Sequence, residues 1–176
     1  MPYEKLMQPV NMNLISVTQR LKVAEVTIDD IDLLYQLTGN KDVMRYFPKI
    51  LSYDETKQMI RKILDHYKKY GYCFWKVLLK PKDEFIGIAG LLHQKIDGKV
   101  ETEIAFRISP EHWNNDYATE AAKACKDYGE TVLRKKKFIS LIHPKNNASK
   151  RVAQKLGAKR SRSVIFMGHE HEVYVY

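Results

Sequence analysis

Apolar and polar residues alternate from Thr18 to Val26, with Leu21 and Val23 on one side, which predicts a half-buried strand. The period then lengthens. Ile31, Leu34 and Leu37 recur at helical spacing behind a Thr27 cap, Asp29 and Asp30 suit the N-terminal dipole, and Gly39 is the stop. Ser52 and Glu55 form a capping box, and Met59, Ile60, Ile63, Leu64 and Tyr67 carry a second helix to Gly71.

Three strand-like runs follow, Tyr72 to Leu79, Phe85 to His93 and Val100 to Ile108, broken by the turn formers Pro81-Lys82-Asp83 and Asp97-Gly98. They predict an antiparallel meander. Tyr117 to Leu133 reads as a helix with Ala121, Ala124, Cys125 and Tyr128 inside, Phe138 to Ile142 as a short strand, and Ala148 to Leu156 as a helix ended by Gly157. Ser163 to Met167 and Glu172 to Tyr176 predict a closing hairpin. The order is that of a mixed α/β domain with one largely antiparallel sheet.

Length and composition narrow this picture. At 176 residues, 44% of them hydrophobic, the chain suits one domain spanning 1–176, with 1–17 as an extended N-terminal segment. No apolar run is long enough for a signal peptide or a bilayer crossing, so a cytoplasmic location is expected. Cys73 and Cys125 form no metal or redox spacing and suit core packing. The formal net charge of +9 favours an anionic partner. The basic residues, densest at Arg134 to Lys137 and Lys145 to Arg162, lack the aromatic interleaving of a single-strand binder, which disfavours nucleic acid.

Two segments carry candidate chemistry. Glu103-Ile-Ala-Phe-Arg-Ile-Ser-Pro, followed by Trp113-Asn-Asn-Asp-Tyr-Ala-Thr-Glu-Ala, places a strand and a loop before a helix N-terminus, whose free amides make an anion site. His143-Pro-Lys-Asn-Asn-Ala-Ser-Lys-Arg-Val-Ala-Gln-Lys-Leu-Gly-Ala opens a second helix with Asn146 and Ser149 near its start. Together, in this order after such a sheet, the segments resemble the GNAT acetyltransferase superfamily, and most closely its ribosomal-protein N-acetyltransferase branch. The likeness runs from Thr18-Gln-Arg-Leu-Lys-Val through Asn40-Lys-Asp-Val-Met-Arg-Tyr-Phe to the final strands.

The resemblance implies a single α/β (α+β) domain, with a mostly antiparallel sheet of about six to seven strands flanked by about four helices. It implies acetyl-CoA as co-substrate and direct transfer of the acetyl group to a primary amine, either a protein N-terminal α-amine or a small molecule. Trp113, Asn114, Asn115, Asp116, Tyr117 and Ala118 would cradle the CoA pyrophosphate, Asn146 would contact its pantetheine arm, and Ile108, Thr119 and Ser149 would also bind the cofactor. Ser149 would protonate the leaving thiolate and Glu103 would act on the amine. Tyr46, Phe47, Glu103 and His143 would border the acceptor. Two of these residues have plainer readings: Glu103 faces away from Ile104 and Phe106 and could be solvated, and Ser149 could serve only the helix start.

The family loop usually reads Trp-Gly-Lys-Gly-Tyr-Ala, whereas this chain has Asn114, Asn115 and Asp116 in the middle. Asn and Asp tolerate positive φ, so the shape can survive. Asp116, however, puts a carboxylate near the pyrophosphate and is itself a good N-cap; like charges about 4 Å apart cost roughly 1–4 kcal/mol. The alternative is therefore a non-catalytic or weakly CoA-binding regulatory domain on the same scaffold. Ala153 replaces a tyrosine acid of many members, and Ala158 an aromatic. His169 and His171 point the same way on a strand but have no third ligand nearby, so no metal is expected. A homodimer is expected only as the commonest oligomer.

Overall fold

The computed structural model describes residues 12–176; most of the proposed N-terminal segment lies outside them. Among the described residues eight strands, rather than six to seven, form one open sheet in the order β1-β2-β3-β4-β5-β6-β8-β7. They are β1 (Leu14–Val17), β2 (Leu21–Glu25), β3 (Phe74–Leu79), β4 (Glu84–Ile96), β5 (Lys99–Ile108), β6 (Ile139–Ile142), β7 (Lys159–Phe166) and β8 (His169–Val175). Every neighbouring pair is antiparallel except β5 with β6. The added strand, β1, contains residues assigned from the sequence to the extended segment, and it pairs the free edge of β2 through Leu14, Ser16 and Val17, with a bulge at Ile15.

Four helices flank the sheet: α1 (Ile31–Thr38), α2 (Tyr53–Tyr70), α3 (Tyr117–Thr131) and α4 (Asn147–Lys155). The Ser52 hydroxyl accepts from the Glu55 N–H at 3.2 Å while the Glu55 carboxylate accepts from the Ser52 N–H at 2.9 Å, so the capping box forms as predicted. Asp30 keeps its place at the helix start, its carboxylate accepting from the Thr27 N–H at 2.7 Å, and takes on a second role. It is 6% exposed and binds Lys76 Nζ at 2.8 and 2.9 Å, a buried pair joining the start of α1 to the middle of β3.

The core has two principal layers. One sheet face buries Leu21, Trp75, Leu91 and Ile104 against Ala121 and Cys125 of α3. The other packs Phe74 and Ile88 against Leu34, Leu37, Ile60 and Ile63 of α1 and α2. Both cysteines are buried free thiols, as expected, and burial pushes the Cys73 thiol up to about 11. The sheet thus holds α1–α2 and α3 on opposite sides of β5, and that division organises the site.

Candidate active site

The site begins where β5 loses its neighbour. Along one edge β5 bonds β4 through ten successive pairs, from Gly87↔Ile108 to Ile96↔Lys99, but along the other a single parallel pair, Glu103↔Ile139, joins it to β6. Ser140 Oγ then donates to Ile104 O at 2.7 Å, and the strands part. Their divergence opens a cleft of about 740 Å³ whose walls include Ala105 to Ile108 on one side and Ser140 to Ile142 on the other. Backbone groups on separating strand edges have no ladder partner and are available to a ligand.

All the sequence-selected site residues but Asn115 line this cleft. Trp113 Nε1 donates to Ile108 O at 2.7 Å and ties the following loop to the end of β5. Asn114 and Asp116 both adopt φ 60, the left-handed conformation expected of residues standing where the family has glycine. Asn115 instead braces the loop: its Nδ2 donates to Trp113 O at 2.8 Å, and its carbonyl accepts from Arg20.

Asp116 does not behave as its capping propensity suggested. Its carboxylate makes no cap bond to α3; it pairs with Lys155 Nζ at the end of α4, and that ammonium holds its pKa below the ordinary carboxylate value. The first amides of α3 therefore remain free of it. Thr119 adds a hydroxyl oxygen, buried without a hydrogen-bond partner among the described residues, and Lys145 and Arg151 bring further positive charge to the cleft. This end is built to receive an anion.

The other chemical centre is Glu103. It is 7% exposed, not solvated, and its carboxylate accepts from Gln94 Nε2 at 2.7 Å. Burial raises its pKa to about 7, against the partial pull of the Gln94 and Leu141 hydrogen bonds and the Arg107 charge. A carboxyl so tuned exchanges a proton near neutrality. The signal for Gln94 was present in the sequence: a turn at Asp97-Gly98 sets Leu92 opposite Glu103, making Gln94 its diagonal cross-strand neighbour.

Asn146 caps α4, its Oδ1 accepting from the Ser149 N–H at 3.1 Å, so the Ser149 backbone rather than its hydroxyl satisfies the helix start. Ala153, one turn on, is fully buried and Ala158 packs beside it and Tyr174, consistent with a packing role. His143 Nδ1 accepts from the Lys145 N–H at 3.1 Å, which places the proton of the neutral ring on Nε2, and its ring lies 5.1 Å from that of Tyr46. Burial and the neighbouring His171 lower its pKa. Among the described residues no group of three or more His, Cys, Asp or Glu is arranged to hold a metal.

Arg107 was not foreseen as a site residue. It shares the Glu103 face of β5, and its guanidinium stacks 4.1 Å from the centroid of Phe47, a lining residue of the loop after α1.

Known proteins resemble the chain in sequence and fold. The chain is 34% identical over 149 residues to the "Uncharacterized protein YkkB" of Bacillus subtilis (strain 168), covering 84% of this chain and 87% of that protein. It is 27% identical over 140 residues to spermidine N(1)-acetyltransferase of Escherichia coli (strain K12), covering 78% and 72%. Among solved structures, the RimL ribosomal L7/L12 α-N-protein acetyltransferase in complex with coenzyme A superposes with a TM-score of 0.75 at 16% identity, covering 93% of this chain and 97% of that one. Residues 20–159 match the acetyltransferase (GNAT) domain family, and the chain belongs to that family of N-acetyltransferases.

Proposed function

We propose that the protein transfers an acetyl group from acetyl-CoA directly to a primary amine, with both substrates held together in the cleft. The observation that carries this reading is the buried Glu103 carboxyl, poised near neutral pH where β5 and β6 part. The residues present fit acetyl-CoA. The diverging edges of β5 and β6 offer backbone partners for the amides of a pantetheine arm. The free start of α3, the unpartnered Thr119 hydroxyl and the cationic Lys155 and Arg151 suit its phosphates.

Acetyl-CoA supplies the activated acyl group. Glu103 takes the proton that the incoming ammonium must lose before its nitrogen lone pair can form the N–C bond. As the C–S bond breaks, its electron pair leaves on sulfur and the Ser149 hydroxyl, at the start of α4, donates a proton to it; the second proton that the nitrogen sheds as the amide forms returns the serine to its hydroxyl form, so the net proton released is the one taken by Glu103. Tyr46, Phe47 and His143 line the wall on the acceptor side. The rest is placement of two reactants side by side, which needs no acyl-enzyme.

The alternative of a non-catalytic scaffold rested on Asp116. Pairing with Lys155 supports the catalytic reading, because the carboxylate is neither capping α3 nor unneutralised. The deciding experiment is calorimetric titration with acetyl-CoA at modest salt, then CoA release with an amine panel. Micromolar one-to-one binding and amine-dependent release are expected; no binding at millimolar acetyl-CoA would sink the reading.

A further inference from the structure

On the α1–α2 side of β5 stands a cation that forms no salt bridge among the described residues, although Glu103 lies within electrostatic reach. Arg107 lies between Phe47 and Phe74, its guanidinium carbon 4.1 and 5.6 Å from their ring centroids. Its one hydrogen bond among the described residues runs from Nη1 to Met59 Sδ at 3.6 Å, and its Nε is buried without a partner. Burial pulls the pKa down to about 10, which leaves the group charged at neutral pH. A half-buried guanidinium that lines a cleft with its Nε unpartnered among the described residues has bonding capacity left for a ligand, and its planar fork matches an oxygen anion.

The carboxylates of the same cleft are accounted for. Asp42 binds Arg45 at 2.9 Å and Asp116 binds Lys155, which leaves Glu103 to face the reacting amine. A polyamine would therefore meet Arg107 with its second positive charge and find, among the described lining residues, no further unpaired carboxylate to hold it. Glu103 and Arg107 are four residues apart on one strand face, about 13 Å of extended chain between their Cα atoms, shortened by the reach of two long side chains.

We infer that the acceptor is a primary amine carrying an anionic oxygen group, a carboxylate or phosphate, several bonds away on the same molecule. Arg107 binds the anion while the amine faces Glu103. The inference rests on the transferase reading above and narrows its substrate class.

The test compares ε-aminocaproate with hexamethylenediamine, two six-carbon amines that differ at the far end, by steady-state CoA release. The wild-type protein should favour the amino acid at least tenfold in kcat/KM. Arg107→Gln should raise KM for the amino acid by about ten- to hundredfold, erasing the preference, with Arg107→Lys intermediate. An aminohexyl phosphate ester identifies which anion is preferred. A wild-type preference for the diamine, or no turnover of any of the three while acetyl-CoA binds, overturns the inference without touching the transferase reading. So does an Arg107→Gln variant that loses acetyl-CoA affinity in calorimetry instead of acceptor KM. Should that variant fail to fold, the wild-type preference decides alone. Failure of the wild-type protein to bind acetyl-CoA removes the transferase reading itself, and the inference with it.

Discussion

Glu103 owes its properties to position rather than to neighbours in sequence. With a pKa of about 7, kcat/KM should rise as pH passes through that value, because only the carboxylate can accept a proton. Glu103→Gln should flatten the profile and lower kcat/KM roughly 10²- to 10⁴-fold. Stability should move the other way. A carboxyl whose folded pKa is raised loses stability as pH climbs from the ordinary glutamate range to about 7. The glutamine variant should therefore match or exceed the wild type above that pH, by up to roughly 3 kcal/mol in denaturant melts. At Asp116, Asp116→Asn keeps a residue suited to positive φ and frees Lys155, so acetyl-CoA should bind several-fold tighter. Lys155→Gln should weaken binding by roughly tenfold, both effects shrinking in high salt when followed by calorimetry. The sequence showed the chemistry of both carboxylates but not their surroundings: the Glu103 environment comes from strands and loops closing over β5, and the Asp116 partner stands 39 residues away on another helix. Arg107 escaped notice for the same reason, since only the fold brings Phe47 and Phe74 against it.

Elements with strong periodicity or local punctuation were legible, and those at sheet edges were not. The capping box and Gly71 bound α2 as read, and the Asp97-Gly98 turn set the β4–β5 register that aligns Gln94 with Glu103. By contrast β7 starts at Lys159, four residues before the predicted Ser163, because its opening Lys-Arg-Ser-Arg lies largely exposed on an edge strand and shows no alternation. β8 begins at His169 rather than Glu172 for a similar reason, its first residues being polar and exposed. β3 hides another exception: Lys76 is 9% exposed in an otherwise apolar run because Asp30 meets it. One helix position depends on having no side chain. A Cβ on Gly129 of α3 would stand 2.6 Å from the Phe138 ring and 2.9 Å from Leu91, where α3 lies on β4. Gly129→Ala should cost about 1–3 kcal/mol despite its better helix propensity, read as a melting temperature lower by several degrees.

Across the whole molecule, the excess of positive charge and the cationic cleft predict that acetyl-CoA affinity falls as ionic strength rises, most steeply below physiological salt. The same scale shows why β5 and β6 matter beyond chemistry. On one side of their seam lie β1 to β5, tied by their ladders; on the other lie β6, β8 and β7, tied by theirs; between them, among the described residues, run one backbone pair, the Ser140 bond to Ile104, the Lys137–Glu101 ion pair and the packing of Ile96 on Ile139 and Val173. In mechanical terms the protein is two stiff plates sharing a narrow bridge. A ligand that bonds both strand edges acts as a splice across that bridge, so acetyl-CoA should slow amide hydrogen exchange at 105–108 and 141–142 more than in the outer strands. Under tension the first tear should open along the cleft proposed to hold the substrates, and a molecule with acetyl-CoA bound should resist it longer than an empty one.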